Sequence, residues 1–251
     1  MPLVTWPAAA PEEDALLTSP RRAALLTAGV VALTAVVFVL VADHGMLARI
    51  QRLDDAWLRL MISGRAPALT VIAKVFNVLG LVYVTLPVRI AVAGFLALRR
   101  RWWHLAAFTA AVVISEVLIG SLKGIYDRAR PPGSLVATSG ASFPSGHAVA
   151  ASVTAVAAVI ALVPAGRRRT WWGAVAVAFS ILMGLSRAYL GAHWLSDATA
   201  GILLGTSCAL LTALVAGLLQ RQRQRGRPSP GAQRLAAVAP PAHAGRVRRR
   251  T

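Results

Sequence analysis

Residues 23–43 read AALLTAGVVALTAVVFVLVAD, and this stretch decides the fold. At about 1.5 Å of rise per residue, a helix of this length crosses the roughly 30 Å of hydrocarbon in a bilayer. The run is too long for the core of a signal peptide and carries no convincing cleavage site, so it reads as an anchor. Further apolar runs follow at approximately 70–98, 104–122, 147–164, 171–189 and 196–219. Hydrocarbon offers no partner to a backbone amide, so each run must close its own hydrogen bonds as a helix. The expected fold class is all-α: a polytopic membrane protein built as a six-transmembrane-helix bundle.

Composition points the same way. Of the 251 residues, 57% are hydrophobic and only 14% charged, against roughly a quarter charged in soluble domains. A formal net charge of +18 raises the question of nucleic acid, but the positions of the charges argue against it. Arg21-Arg22, Arg99-Arg100-Arg101, Arg167-Arg168-Arg169 and the tail from Arg221 onward all sit at the ends of apolar runs. Cytoplasmic loops carry such clusters. This arrangement predicts both termini in the cytoplasm and the loops 44–69, 123–146 and 190–195 outside. The outer loops hold arginines too, so the orientation rests on clustering and span parity. Within 44–69, Leu53, Trp57, Leu58 and Met61 fall near helical spacing, which predicts an amphipathic helix lying at the interface. Trp102, Trp103, Trp171 and Trp172 flank the arginine clusters as an aromatic belt. His44 and His104, at span ends, are expected at the interface. The segment 1–20, with Pro2, Pro7, Pro11 and Pro20, and the basic segment 221–251 are expected to be disordered tails. The single cysteine, Cys208, has no partner for an intrachain disulfide and reads as a small buried residue.

Three polar segments fall at the outer ends of the runs. The first is Lys123-Gly-Ile-Tyr-Asp-Arg-Ala-Arg130-Pro131, the second Phe143-Pro144-Ser145-Gly146-His147, and the third joins Ser186-Arg187 to His193 and Asp197. Lys123, Arg130 and Arg187 are three cations near one face; guanidinium forks and an ammonium suit phosphate oxygens. Pro144 and Gly146 precede an apolar run and look like a turn opening a helix, whose first amides favour an anion. Ser145 adds a hydroxyl. His193 and Asp197, four apart, would share one face of a helix, so that Asp197 fixes the imidazole tautomer and frees the other nitrogen as a nucleophile. His147 would protonate the leaving oxygen. No cysteine pair, carboxylate cage or paired histidines suggest a metal.

Two further points concern charge. Asp127 and Arg128 are expected to form a local ion pair that shapes the loop, with Arg128 touching phosphate as the alternative. Arg89 and Glu116 lie deep in consecutive runs at similar depth, and each alone would be costly in lipid. They are expected to pair as glue between helices; the alternative is that Glu116 tunes the site near Lys123.

The pattern K-x6-R-P, P-S-G-H and S-R-x5-H-x3-D resembles the three signature motifs of the type 2 phosphatidic acid phosphatase superfamily, in matching order and spacing. That family has a six-span core, which extends the resemblance over about residues 21–220 as a membrane phosphatase domain. The resemblance implies a metal-independent lipid phosphatase with no cofactor. Lys123, Arg130 and Arg187 would bind phosphate with help from Ser145 and Gly146. His147 would be the general acid, and His193 would become phosphohistidine, oriented by Asp197. The implied partners are a lipid phosphate and the bilayer, in a plasma (inner) membrane with the site facing the periplasm or cell exterior. A non-catalytic lipid-phosphate binder would be expected to lose a catalytic His or Asp, which this chain keeps. A transporter would be expected to show inverted repeats or helices broken at mid-membrane, and neither is evident in the sequence.

Overall fold

The computed structural model describes residues 16, 17 and 19–225. The tails expected at 1–20 and 221–251 therefore lie almost wholly outside the described residues. Their described members Leu16 and Leu17 are buried against Ala107 and Ala216. The described chain is helical: α1 (Pro20–Ala42), α2 (His44–Ser63), α3 (Pro67–Leu79), α4 (Val82–Leu98), α5 (Trp102–Tyr126), α6 (Gly146–Leu162), α7 (Arg167–Tyr189) and α8 (Leu195–Arg225). One compact unit runs to Leu218; the described part of the second, from Leu219, is the end of α8.

Four helices, α1, α5, α7 and α8, are long and apolar enough to cross a membrane. The expected span 70–98 is not one helix. It is a pair, α3 and α4, bent by 51° at a break around Gly80 and Leu81. The sequence reading expected no broken helix, so this is a correction. The break carries a glycine for a steric reason: a Cβ at position 80 would overlap Cδ2 of the His147 ring, which the chain passes closely there. The expected span 147–164 is α6, of 17 residues, about 25 Å long and short for a crossing.

α6 is the centre of the fold. It packs against α4, α5 and α7, and Val149, Val153, Val156 and Ala157 sit in the main core with Phe108, Leu96 and Leu204. Its contact with α8 is close enough at two glycines to bring backbone near backbone. A Cβ at Gly201 would come within 2.7 Å of the Ser145 carbonyl oxygen, and one at Gly205 within 2.6 Å of the Val149 carbonyl oxygen. The spacing Gly201-x-x-x-Gly205 thus lets two backbones touch, as small residues do between membrane helices.

α2 is the expected amphipathic helix. Asp43 caps it by accepting from the Met46 amide at 2.8 Å, and Leu58 and Asp54 are its buried residues. Two more expectations meet their test here. Arg89 Nη1 donates to Glu116 Oε1 at 2.7 Å, and Arg89 Nε to Thr154 Oγ1 at 2.9 Å, so Arg89 ties α4 to α5 and α6. His104, expected at the interface, is instead fully buried, 2.9 Å from Arg101 Nη2; the arginine supplies the polar contact that water would have given.

Candidate active site

The sequence motifs converge because their helices end together. α5 and α7 finish, and α6 and α8 begin, at the same end of the unit, around loops 127–145 and 190–194. Backbone bonds stitch those loops: Leu135 N to Leu190 O at 2.8 Å, Ala192 N to Arg187 O at 3.0 Å, and Ser145 N to Asp197 O at 3.0 Å.

Each cation is fixed by protein oxygens. Lys123 Nζ donates to the Ala141 carbonyl at 2.8 Å. Arg130 donates through Nε to Gly140 O at 2.8 Å, through Nη2 to Ser139 O at 2.7 Å, and through Nη1 to Ala192 O at 2.7 Å. Arg187 Nη1 donates to Asn77 Oδ1. Carbonyls hold these side chains without neutralising them, so the positive field stays available to an anion. Burial pulls the Arg130 guanidinium below its ordinary value, with Asp197 opposing that effect.

His193 is buried between two groups that dictate its tautomer. Its Nδ1 stands 2.7 Å from the Ser142 carbonyl, which only accepts; its Nε2 stands 3.2 Å from Arg130 Nη1, which only donates. The consistent assignment is a proton on Nδ1 and a lone pair on Nε2. Burial pushes the imidazole down to about 4, against the opposing influence of Asp197, so it is neutral at physiological pH and Nε2 is free to attack.

Here the geometry departs from the expected picture. His193 and Asp197 do not share a helix face, because α8 begins only at Leu195. Asp197 Oδ2 accepts from the Trp194 amide at 2.9 Å and lies 3.7 Å from His193 Nδ1. The nearer partner of the ring is the Ser142 carbonyl. Arg128 does not pair with Asp127 as expected. It reaches Asp197 Oδ1 at 2.7 Å and Asp54 Oδ2 at 2.8 Å, while Asp127 closes α5 in a left-handed conformation with φ 35°.

His147 stands in the first turn of α6, with Ser145 as N-cap. The ring lies within electrostatic reach of Arg187, His193 and Arg130. Among the described residues, Ser145 Oγ, His147 Nε2 and Arg187 Nε are buried without a protein partner. Three such atoms from two of the motifs, beside the unsatisfied first amides of α6, suit a ligand with several acceptor oxygens. No group of three or more His, Cys, Asp or Glu side chains that could hold a metal occurs among the described residues.

The sequence reading missed four contributors. Asn77 carries a signal, as a lone amide in an apolar run. Gly80 carries none without the bend. The Ser142 carbonyl is invisible because any residue type would supply it. Asp54 looked like one more charge on an amphipathic helix.

Residues 101–221 match the family model of the PAP2 superfamily. The chain is 29% identical over 184 residues to phosphatidylglycerophosphatase B of Bacillus subtilis, covering 70% of this chain and 89% of that protein. It is 32% identical over 143 residues to decaprenylphosphoryl-5-phosphoribose phosphatase of Mycobacterium tuberculosis, covering 54% of this chain and 75% of that protein. Its fold is similar to the crystal structure of a transmembrane PAP2 type phosphatidylglycerolphosphate phosphatase from Bacillus subtilis, with a TM-score of 0.62 and 24% identity over 80% of this chain and 98% of that one.

Proposed function

The chain belongs to the PAP2 superfamily, and we propose that it hydrolyses the terminal phosphate of a lipid phosphate or pyrophosphate through a phosphohistidine at His193. The observation that carries this reading is the His193 ring held between the Ser142 carbonyl and Arg130, which leaves Nε2 as a lone-pair donor beside Arg130 and within electrostatic reach of Arg187.

In the proposed reaction, Lys123, Arg130, Arg187, Ser145 and the Gly146 amide take the equatorial phosphate oxygens. The Nε2 lone pair of His193 forms a bond to phosphorus as the phosphorus–oxygen bond to the lipid breaks. The departing oxygen takes a proton from His147, which must enter this step as imidazolium, the form that a bound phosphate dianion favours. Neutral His147 then accepts a proton from water as that water attacks the phosphohistidine, releasing inorganic phosphate and restoring both rings. Asp197 opposes the positive charge that His193 acquires. No step requires a metal.

An apolar cleft supports the lipid part of this reading. Of about 310 Å³ and lined by Trp57, Met61, Phe76, Leu185 and Tyr189, it reaches Ser186 beside Arg187. An acyl or prenyl chain fits its chemistry while the phosphate meets the cations. Phosphatidic acid, phosphatidylglycerol phosphate and polyprenyl pyrophosphate all present the same terminal group. In the proposed topology the chain crosses the plasma membrane six times, with α3 and α4 together as one crossing and α6 as another. Both termini are cytoplasmic and the site faces outward. The arginine clusters support this, since Arg99–Arg101 and Arg167–Arg169 lie at the opposite helix ends from the site.

The test is phosphate release from purified protein with those three lipids, chelator present. Release that survives chelator and disappears in His193→Ala is expected. Full activity in that variant removes His193 as nucleophile, and loss with chelator removes the metal-free mechanism.

A further inference from the structure

Asp54 belongs to none of the three motifs, yet it is 2% exposed, while the arginines of the same helix, Arg49, Arg52 and Arg59, are exposed. Its two oxygens are fully engaged. Oδ1 accepts the Ser196 amide at 2.9 Å; Oδ2 accepts the Ser196 hydroxyl at 2.5 Å and Arg128 Nη2 at 2.8 Å. Arg128 Nη2 also donates to Gln51 Oε1 at 2.7 Å, and Nη1 donates to Asp197 Oδ1 and to Ser196 Oγ, each at 2.7 Å. The guanidinium carbon lies 5.6 Å from the centre of the Trp194 ring. A planar fork is thus held at both edges, one by α2 and one by the start of α8.

Asp197 is the far end of this chain of contacts. Its Oδ1 is taken by Arg128, which turns Oδ2 toward the Trp194 amide and His193 Nδ1. A carboxylate between two buried cationic or donor groups has little freedom. Removing Asp54 would leave the guanidinium anchored by neutral groups on the α2 side and free to follow Asp197, or to draw it away from the imidazole.

We infer that Asp54, acting through Arg128, is a positioning residue that holds Asp197 where it can stabilise the imidazolium charge formed as His193 Nε2 bonds to phosphorus. This rests on the phosphohistidine reading above. It makes α2, a helix outside the family match at 101–221, part of the device that sets the rate of phosphoryl transfer.

The inference separates rate from binding. The phosphate cations are held by the carbonyls of Ala141, Gly140, Ser139 and Ala192 and by Asn77. None of those partners is shared with Asp54. A loss confined to charge developing in the transition state lowers kcat and leaves ground-state binding alone.

The experiment uses the full chain in detergent with whichever lipid of the three-lipid panel it hydrolyses fastest. Asp54→Asn keeps the shape and removes the charge. Expected are a fall in kcat of about 10- to 100-fold, KM and inhibition by inorganic phosphate unchanged within about twofold, and inhibition by vanadate weakened in parallel with kcat, since vanadate mimics the five-coordinate phosphorus. Asp54→Glu, which restores the charge, should recover part of kcat. Wild-type kcat in Asp54→Asn overturns the inference, and so does an equal weakening of phosphate and vanadate, which marks a merely structural role. Where Asp54→Asn does not fold, Arg128→Lys carries the same test with the same expected pattern. Activity retained in His193→Ala would sink the phosphohistidine reading itself, whatever Asp54→Asn does.

Discussion

Arg89 and Arg128 are buried almost equally, at 9% and 8% exposure, and both bind carboxylates, yet they solve different problems. Arg89 has one carboxylate partner, Glu116, whose side chain is 51% exposed, and one hydroxyl, Thr154; its Nη2 is buried without a partner. Arg128 has two carboxylates, both at 2% exposure or less, together with Gln51, Ser196 and the face of Trp194. The first pair makes one charge tolerable between helices. The second network gives both carboxylates several donors and holds Asp197 beside the His193 ring. Burial alone therefore says little about what an arginine does; the completeness of its partners says more.

The sharpest way to break this contrast is to remove each guanidinium. Arg128→Ala leaves Asp54 and Asp197 buried without their shared cation and should cost about 3–5 kcal/mol of stability, read as a large drop in the thermal unfolding midpoint in detergent. Arg89→Met should cost only about 1 kcal/mol, because a single carboxylate loses its partner and an apolar chain fills the space. Equal losses in the two variants would erase the distinction.

A smaller effect sharpens it further. His193 is neutral in the fold down to about pH 4, while in the unfolded chain it takes a proton near 6.5. Its folded value is depressed, so its contribution to stability declines as pH falls from about 6.5 toward 4. Activity should hold across that window and fail only as the nucleophile protonates near 4. The acid limb of kcat/KM should stay in place in Arg89→Met, since Arg89 is not among the groups acting on His193. A displaced limb would mean that the two networks communicate.

The same contrast explains what the sequence could reveal. Arg89 and Glu116 were predictable partners because two antiparallel helices joined by a short loop place equal steps at equal depth. The motif residues were legible because their spacing ties them to helix ends that must meet. The partners of Arg128 were not, because Asp54 comes from a helix whose docking no local pattern encodes, and the adjacent Asp127 offered a nearer but wrong choice. Backbone groups such as the Ser142 carbonyl leave no mark on residue identity at all. The 51° break between α3 and α4 was hidden because both halves are apolar, and the close approach that Gly80 permits is to His147, far along the chain.

The glycine contact between α6 and α8 has a consequence for motion. With backbone against backbone at Gly201 and Gly205, and the Ser145 amide donating to the Asp197 carbonyl at 3.0 Å, the starts of the two helices are locked together. His147 and Asp197, in their first turns, must travel as one rigid piece. On the proposed function, the breathing that admits a lipid headgroup then belongs to the other wall, where α3 and α4 meet at Gly80. Amide hydrogen exchange should accordingly be faster around Gly80 than in the first turns of α6 and α8; the reverse order would place the moving wall on the α6–α8 side.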